Sequence, residues 1–274
     1  MPTRAFGSTG VAVPVIGIGT WQMERDDAKS AVAAIERAIE RGLTHVDTAE
    51  MYGQGRVEEL VAQAIAGKRD RIFLASKVLP RNASYAGTIA ACEASLARLR
   101  VEQLDLYMLH WAGEHPLQDT FRAFEKLRAD GKIRHWGVSN FDDDELQNAV
   151  SVARSVGGTV ACNQVLYHLG QRDIEHTVIP RCLEHGIAPV GYSPFGSRGR
   201  FQAKPLEALA RQLGHTPRQL ALAYLSRRAF AIPKSSNPAH VDELATQVTL
   251  DAATITAIEA AYARTPWKKG LPSI

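Results

Sequence analysis

Short apolar runs alternate along the chain with longer stretches whose apolar residues recur at helical spacing. The apolar runs predict strands at 15–20, 44–47, 72–77, 104–110, 133–139, 161–165, 188–193 and 229–234. Most are too apolar to have one wet face, as expected of parallel strands covered by helices. The amphipathic stretches between them predict helices at 26–41, 57–66, 85–99, 118–129, 142–156, 174–185, 206–213 and 238–248, with two extra helices at 217–228 and 252–263. Gly42, Gly131 and Gly186 each follow a helical stretch, where a left-handed C-cap favours glycine. Pro217 and Pro238 follow Thr216 and Asn237 and suit a first helical turn. Residues 1–14 read as a short leading hairpin that turns at Ser8-Thr9-Gly10.

Eight strand-helix units in 274 residues predict an α/β chain folded as a (β/α)8 TIM barrel, with a short N-terminal β-hairpin and two extra helices. The alternative is an open doubly wound sheet, which usually brings a Gly-x-Gly-x-x-Gly turn after its first strand. Here that stretch reads Gly17-Ile18-Gly19-Thr20-Trp21-Gln22, which lacks the third glycine and opens no helix at once. No Walker loop is present. No linker or low-complexity tract divides the chain, so residues 1–274 are expected to form one domain.

Composition narrows the class. The net charge is only +3 and the basic residues are scattered, so neither nucleic acid nor a membrane surface is an expected partner. The start, Met1-Pro2-Thr3-Arg4, lacks the apolar core of a signal peptide. Cys92, Cys162 and Cys182 are odd in number and far apart, which fits a reducing, cytoplasmic location and no disulfide scaffold.

The candidate chemistry lies at strand ends. Asp47 closes one apolar run and leads to Tyr52; Lys77 and His110 close the next two. In a barrel, the C-terminal strand ends face a common site. Asn140, Gln164, Tyr192 and Lys234 fall at or near later strand ends. Alone, Tyr52 reads as packing, Lys77 as a solvated amine, Asp47 as a cap and His110 as a core imidazole. Their ordered placement at neighbouring strand ends favours a proton-handling site. An ammonium at about 4 Å from a phenol is worth roughly 4 kcal/mol at an effective dielectric of about 20, so Lys77 is expected to lower the Tyr52 pKa, with Asp47 holding Lys77 charged. His110 is placed to hydrogen-bond a carbonyl oxygen. The implied step is hydride attack on a carbonyl with proton delivery from Tyr52. Metal chemistry is the competing use of His45, Asp47 and His110. No His-x-His pair follows the first strand, and His45 is expected to point away from Asp47's face, so no metal is expected.

Several segments together resemble the aldo-keto reductase superfamily. They are Val46-Asp47-Thr48-Ala49 with Tyr52-Gly53, Ser76-Lys77-Val78, Asp105 to His110, Gly131-Lys132-Ile133-Arg134, Gly137-Val138-Ser139-Asn140-Phe141 and Ile232-Pro233-Lys234-Ser235. The resemblance implies a barrel that binds NADPH in extended form, with NADH possible but weaker. It implies that Tyr52 is the general acid/base, that Lys77 and Asp47 tune it, and that His110 orients the carbonyl. Gly19, Thr20, Trp21 and Asp47 then contact cofactor from the early strands. Ser139, Asn140 and Gln164 hold the carboxamide, and Tyr192 stacks on the nicotinamide. Ser193, Pro194, Phe195 and Ser197 cross the pyrophosphate. Lys234 and Ser235 meet the 2′-phosphate, Ser236 is a further cofactor contact, and His240 and Glu243 lie towards the adenosine.

Many relatives have Arg where His240 stands and Asn where Leu244 stands, so the resemblance implies a narrower preference for NADPH. It also implies that Trp21, Met51, Tyr52, His110 and Trp111 meet the substrate, in an open mouth. Its nearest likeness is to bacterial reductases of methylglyoxal and other small aldehydes. A steroid double-bond reductase is disfavoured because that subgroup has Glu at the position of His110. The expected protein is an NADP-dependent carbonyl reductase of the alcohol dehydrogenase type, acting as a monomer. The alternative is a nicotinamide-binding sensor or regulatory subunit with slow turnover.

Overall fold

The computed structural model describes residues 1–196, 201–264 and 270–271. The hairpin pairs β1 (Thr3–Ala5) antiparallel with β2 (Ala12–Pro14), and Gly10 takes the left-handed turn position at φ 75°. Eight parallel strands follow: β3 (Ile18–Gly19), β4 (His45–Asp47), β5 (Phe73–Val78), β6 (Leu104–Leu109), β7 (Ile133–Ser139), β8 (Cys162–Leu166), β9 (Ala188–Tyr192) and β10 (Phe230–Ile232). Each pairs with the next in chain order. The barrel closes through single bridges between Ile16 and Ala231 and between Gly19 and Lys234. Closure uses bonds such as Gly17 N to Ala231 O at 2.8 Å and Gly19 N to Pro233 O at 2.9 Å. Pro233 has no N–H to return, which limits the ladder at this seam and leaves β3 and β10 shorter than their apolar runs.

The helices are α1 (Ala28–Glu40), α2 (Arg56–Ala64), α3 (Tyr85–Leu99), α4 (Leu117–Ala129), α5 (Asp143–Ser155), α6 (Val178–Glu184), α7 (Lys204–Leu213), α8 (Pro217–Leu225), α9 (Pro238–Leu244) and α10 (Ala252–Ala261). The expected helix at 174–185 is split into a 3-10 turn at Asp173–Glu175 and α6. Pro180 supplies the reason: its ring blocks helix continuation from the residues before it. Both extra helices form, with one exchange of roles. It is α8 that packs on β10 and α9, burying Leu220, Ala221, Leu222, Tyr224 and Leu225. α7 packs outside it, against α8 and α10. Capping matches the sequence: Asp27 caps α1, Ser84 caps α3, and capping boxes start α5 at Asp142 and α8 at Thr216.

The barrel interior shows how the site is positioned. Alternate residues of a strand share one face. Phe73 and Ala75 of β5, Leu106 and Met108 of β6, Ala188 and Val190 of β9, and Phe230 and Ile232 of β10 form one apolar cluster with Phe6 of the hairpin. The next residue on each of those faces is Lys77, His110, Tyr192 and Lys234 respectively. Cys162 leads in the same way to Gln164. An apolar plug therefore fills the lower barrel, and every plug-forming strand just named leads to a polar group at the C-terminal face.

The same alternation corrects one expectation. His45 lies two residues before Asp47 and shares its face. Its ring meets Phe6 at 5.9 Å and Phe73 at 5.4 Å, both edge-on, within the plug. Both ring nitrogens are buried without a hydrogen-bond partner among the described residues. Burial lowers its pKa to about 4, so it is a neutral packing residue.

Candidate active site

Tyr52 begins a tight turn after β4, in which Gly53 and Gln54 both have left-handed backbone. A Cβ on Gly53 would lie 2.8 Å from Glu24 Cβ, so this turn needs glycine twice over. Glu50 fixes the turn from below, accepting hydrogen bonds from Leu79 N at 2.6 Å and Asn82 Nδ2 at 3.0 Å. Tyr52 is thereby held against the end of β5, beside Lys77.

Lys77 is fully buried, and each of its ammonium hydrogens has a target. It donates to Asp47 Oδ1 at 2.6 Å, to Thr48 O at 2.8 Å and to Tyr52 OH at 3.4 Å. Since Lys77 donates to the phenol oxygen, the Tyr52 hydrogen is left to point elsewhere. Desolvation opposes the charge on Lys77, but Asp47 and Tyr52 outweigh it, and its pKa is raised. The Asp47 carboxylate is held on both oxygens, because Gln164 Nε2 donates to Oδ2 at 2.7 Å.

The Tyr52 phenol itself is pushed up by burial; Lys77 pulls it down without reversing the direction. This corrects the expected lowering. Distance alone favoured the ammonium, but desolvation of a buried phenolate is the larger effect here. Burial, with Lys77 nearby, also holds His110 well below the ordinary imidazole value, so its ring is neutral. His110 Nδ1 is buried without a hydrogen-bond partner among the described residues. The ring sits edge-on to Tyr52 at 5.9 Å and against Trp111 at 4.8 Å.

These groups open into a cavity of about 1030 Å³ at the C-terminal face. Asp47, Tyr52 and His110 line it, with Lys77 sealed beneath. Trp21, Met51 and Trp111, expected at the substrate, also line it, as do Gly19, Thr20, Ser139, Asn140, Gln164, Tyr192, Ser193 and Lys234. A chain of hydrogen bonds orders one wall: Tyr192 OH donates to Asn140 Oδ1 at 2.8 Å, and Asn140 Nδ2 to His110 O at 3.0 Å. Asn140 and Ser193 both have left-handed backbone, at φ 60° and 50°. Such backbone in residues other than glycine concentrates at functional sites.

The sequence matches the Aldo/keto reductase family over residues 15–263. The chain belongs to the aldo/keto reductase family. Among curated relatives it is 41% identical to Methylglyoxal reductase YeaE of Escherichia coli, over 97% of both chains. It is 31% identical to mouse Aldo-keto reductase family 1 member A1, over 85% of this chain and 80% of that one. Among solved structures it resembles a Klebsiella pneumoniae aldo/keto reductase in complex with NADP and acetate, at TM-score 0.93 and 39% identity over all of both chains. It also resembles an aldo-keto reductase of that organism in complex with NADPH, at TM-score 0.92 and 40% identity, over 100% of this chain and 99% of the other.

Other residues that the aldo/keto reductase resemblance singled out lie outside the cavity lining. Pro194 is buried, and Phe195 packs on Phe201 with ring centroids 5.5 Å apart. Ser197 lies outside the described residues. The Ser235 hydroxyl is tied into its own turn with Asn237. Ser236 instead joins Lys234 in bonding Asp26. His240 is exposed, and Glu243 accepts from Thr216 Oγ1 at 2.5 Å. Sequence reasoning missed Gln22, Arg25, Ile232 and Leu271 among the lining residues. Ile232 was legible from alternation, since it precedes Lys234 on one face; Leu271 had no periodic signal.

Proposed function

We propose that this barrel reduces aldehydes and ketones to alcohols with NADPH, and that small dicarbonyls such as methylglyoxal and aromatic aldehydes are its substrates. The supporting observation is the Tyr52, Lys77 and Asp47 chain beside neutral His110, open to one cavity. The residues present fit the cofactor. Ser139, Asn140 and Gln164 offer the donors and acceptors that a carboxamide needs, Tyr192 offers an aromatic face, and Lys234 offers a cation for the 2′-phosphate. When bound, the reduced nicotinamide supplies a hydride.

This chain's own residues handle the oxygen and the proton. Tyr52 directs its hydroxyl hydrogen to the carbonyl oxygen, because Lys77 already occupies its lone-pair side. A neutral His110 carries one N–H; with that hydrogen on Nε2, it donates to the same oxygen and fixes which carbonyl face is presented. As Tyr52 gives up its proton, Lys77 stabilises the phenolate at 3.4 Å, and Asp47 keeps Lys77 in place. The raised Tyr52 pKa keeps the acid loaded at neutral pH.

Trp21, Met51 and Trp111 give the mouth an apolar lining, and Trp111 remains 38% exposed. An open, half-apolar mouth suits small aldehydes and flat aromatic ones, in line with the 41% identity to a methylglyoxal reductase. The test is loss of NADPH absorbance with methylglyoxal, benzaldehyde-type aldehydes and simple ketones, with NADH run in parallel. Turnover of the dicarbonyl or aromatic aldehydes with NADPH is expected. Tight NADPH binding without turnover on that panel would instead favour a nicotinamide sensor.

A further inference from the structure

The loop after β3 carries two consecutive acids with different jobs. Asp27 caps α1, accepting from Ser30 N at 2.8 Å. Asp26 turns the other way and crosses the barrel seam. One of its oxygens, Oδ2, accepts hydrogen bonds from Lys234 Nζ and from Ser236 Oγ, the latter at 2.6 Å. The partners are about two hundred residues apart in sequence and meet because β3 and β10 close the barrel, with Gly19 bridged to Lys234. The same seam is braced on the outside, where Arg37 and Arg41 of α1 both pair with Asp242 of α9, at 2.9 and 3.1 Å.

We infer that Asp26 sets the balance between NADPH and NADH, because its carboxylate occupies the donors that a 2′-phosphate would need. The inference rests on the assignment of Lys234 to that phosphate under the proposed function. A carboxylate oxygen bound by an ammonium and a hydroxyl is arranged as a phosphate oxygen would be. A phosphate entering here must displace Asp26 from Lys234 and Ser236, or stay beside a like charge. Either route subtracts from the binding of the phosphorylated cofactor. The unphosphorylated cofactor has a 2′-hydroxyl instead, which can donate to a carboxylate; acidic residues serve that purpose in NAD sites of other folds. Asp26 therefore weakens NADPH and supports NADH at one position. Both partners are partly exposed, with side-chain accessibilities of 35% for Asp26 and 33% for Lys234, so the pair can open without unfolding the barrel.

The test measures equilibrium affinities of NADP+ and NAD+ by calorimetry for the whole chain and for the Asp26→Asn, Asp26→Ala and Lys234→Ala variants. Both Asp26 variants are expected to bind NADP+ on the order of fivefold more tightly, as for an exposed charge pair. Their affinity for NAD+ should be unchanged or weaker. If they shift both cofactors equally, or leave NADP+ unchanged, the role of Asp26 is overturned. Lys234→Ala separates the two claims. A selective loss of NADP+ affinity upholds the phosphate assignment whatever Asp26 does. Equal loss for both cofactors removes that assignment, and the inference falls with it.

Discussion

The Lys77 ammonium donates to Asp47 Oδ1 at 2.6 Å, and both side chains are sealed from solvent. A buried ion pair adds little net stability compared with an apolar pair, but breaking it on one side strands a charge. Asp47→Asn should therefore destabilise the barrel by about 3–5 kcal/mol, read from urea unfolding. The double variant Asp47→Asn with Lys77→Met should recover part of that loss, because no charge is left behind. Additive losses would contradict the pair's coupling.

Stability should also depend on pH through the lower barrel. Burial holds the His45 pKa at about 4 in the folded chain, below the ordinary imidazole value of about 6.5. Below about pH 6.5 the unfolded chain takes up a proton that folded His45 refuses, so stability is complete above that pH and falls as the pH drops towards 4. The loss over that window is on the order of 3 kcal/mol. His45→Leu, similar in volume, should flatten the dependence of unfolding midpoint on pH between 6.5 and 4. An unchanged slope would place the titration elsewhere.

The fold was legible because the two periods of the chain are clean. Strands such as 133–139 and helices such as 85–99 form over the residues that the pattern marks. The C-terminal strand ends Lys77, His110 and Gln164 were legible for the same reason. Three features were not. Asp26 meets Lys234 only because the barrel closes, and no local pattern records closure. The direction of the Tyr52 pKa depends on how completely the phenol is buried, which spacing does not report. Gln164 was assigned to the cofactor, yet its amide also holds Asp47 at 2.7 Å, a contact between β8 and β4 across the barrel.

Carbonyl orientation should be separable from cofactor binding. If His110 donates to the carbonyl oxygen as proposed, His110→Ala should lower kcat/KM by about a hundredfold or more. NADP+ affinity, measured by calorimetry, should remain close to that of the parent. If cofactor affinity falls in step with catalysis, His110 is a cofactor residue and its orienting role is wrong.

Substrate choice should respond at the mouth. Trp111→Ala removes an exposed indole that packs tilted against His110, with ring centroids 4.8 Å apart. Aromatic aldehydes should lose efficiency by about tenfold, whereas methylglyoxal, which lacks a ring to stack, should lose much less. Steady-state comparison of the two substrates reads the difference, and equal losses would assign Trp111 to positioning His110.

The phenol carries the central claim. The measurement is turnover of methylglyoxal and an aromatic aldehyde by Tyr52→Phe, with NADP+ affinity determined on the same sample. The expected result is a fall in kcat of about a hundredfold to ten-thousandfold with cofactor affinity within about twofold of the parent. Turnover at the parental rate by Tyr52→Phe would contradict the assignment of Tyr52 as the acid.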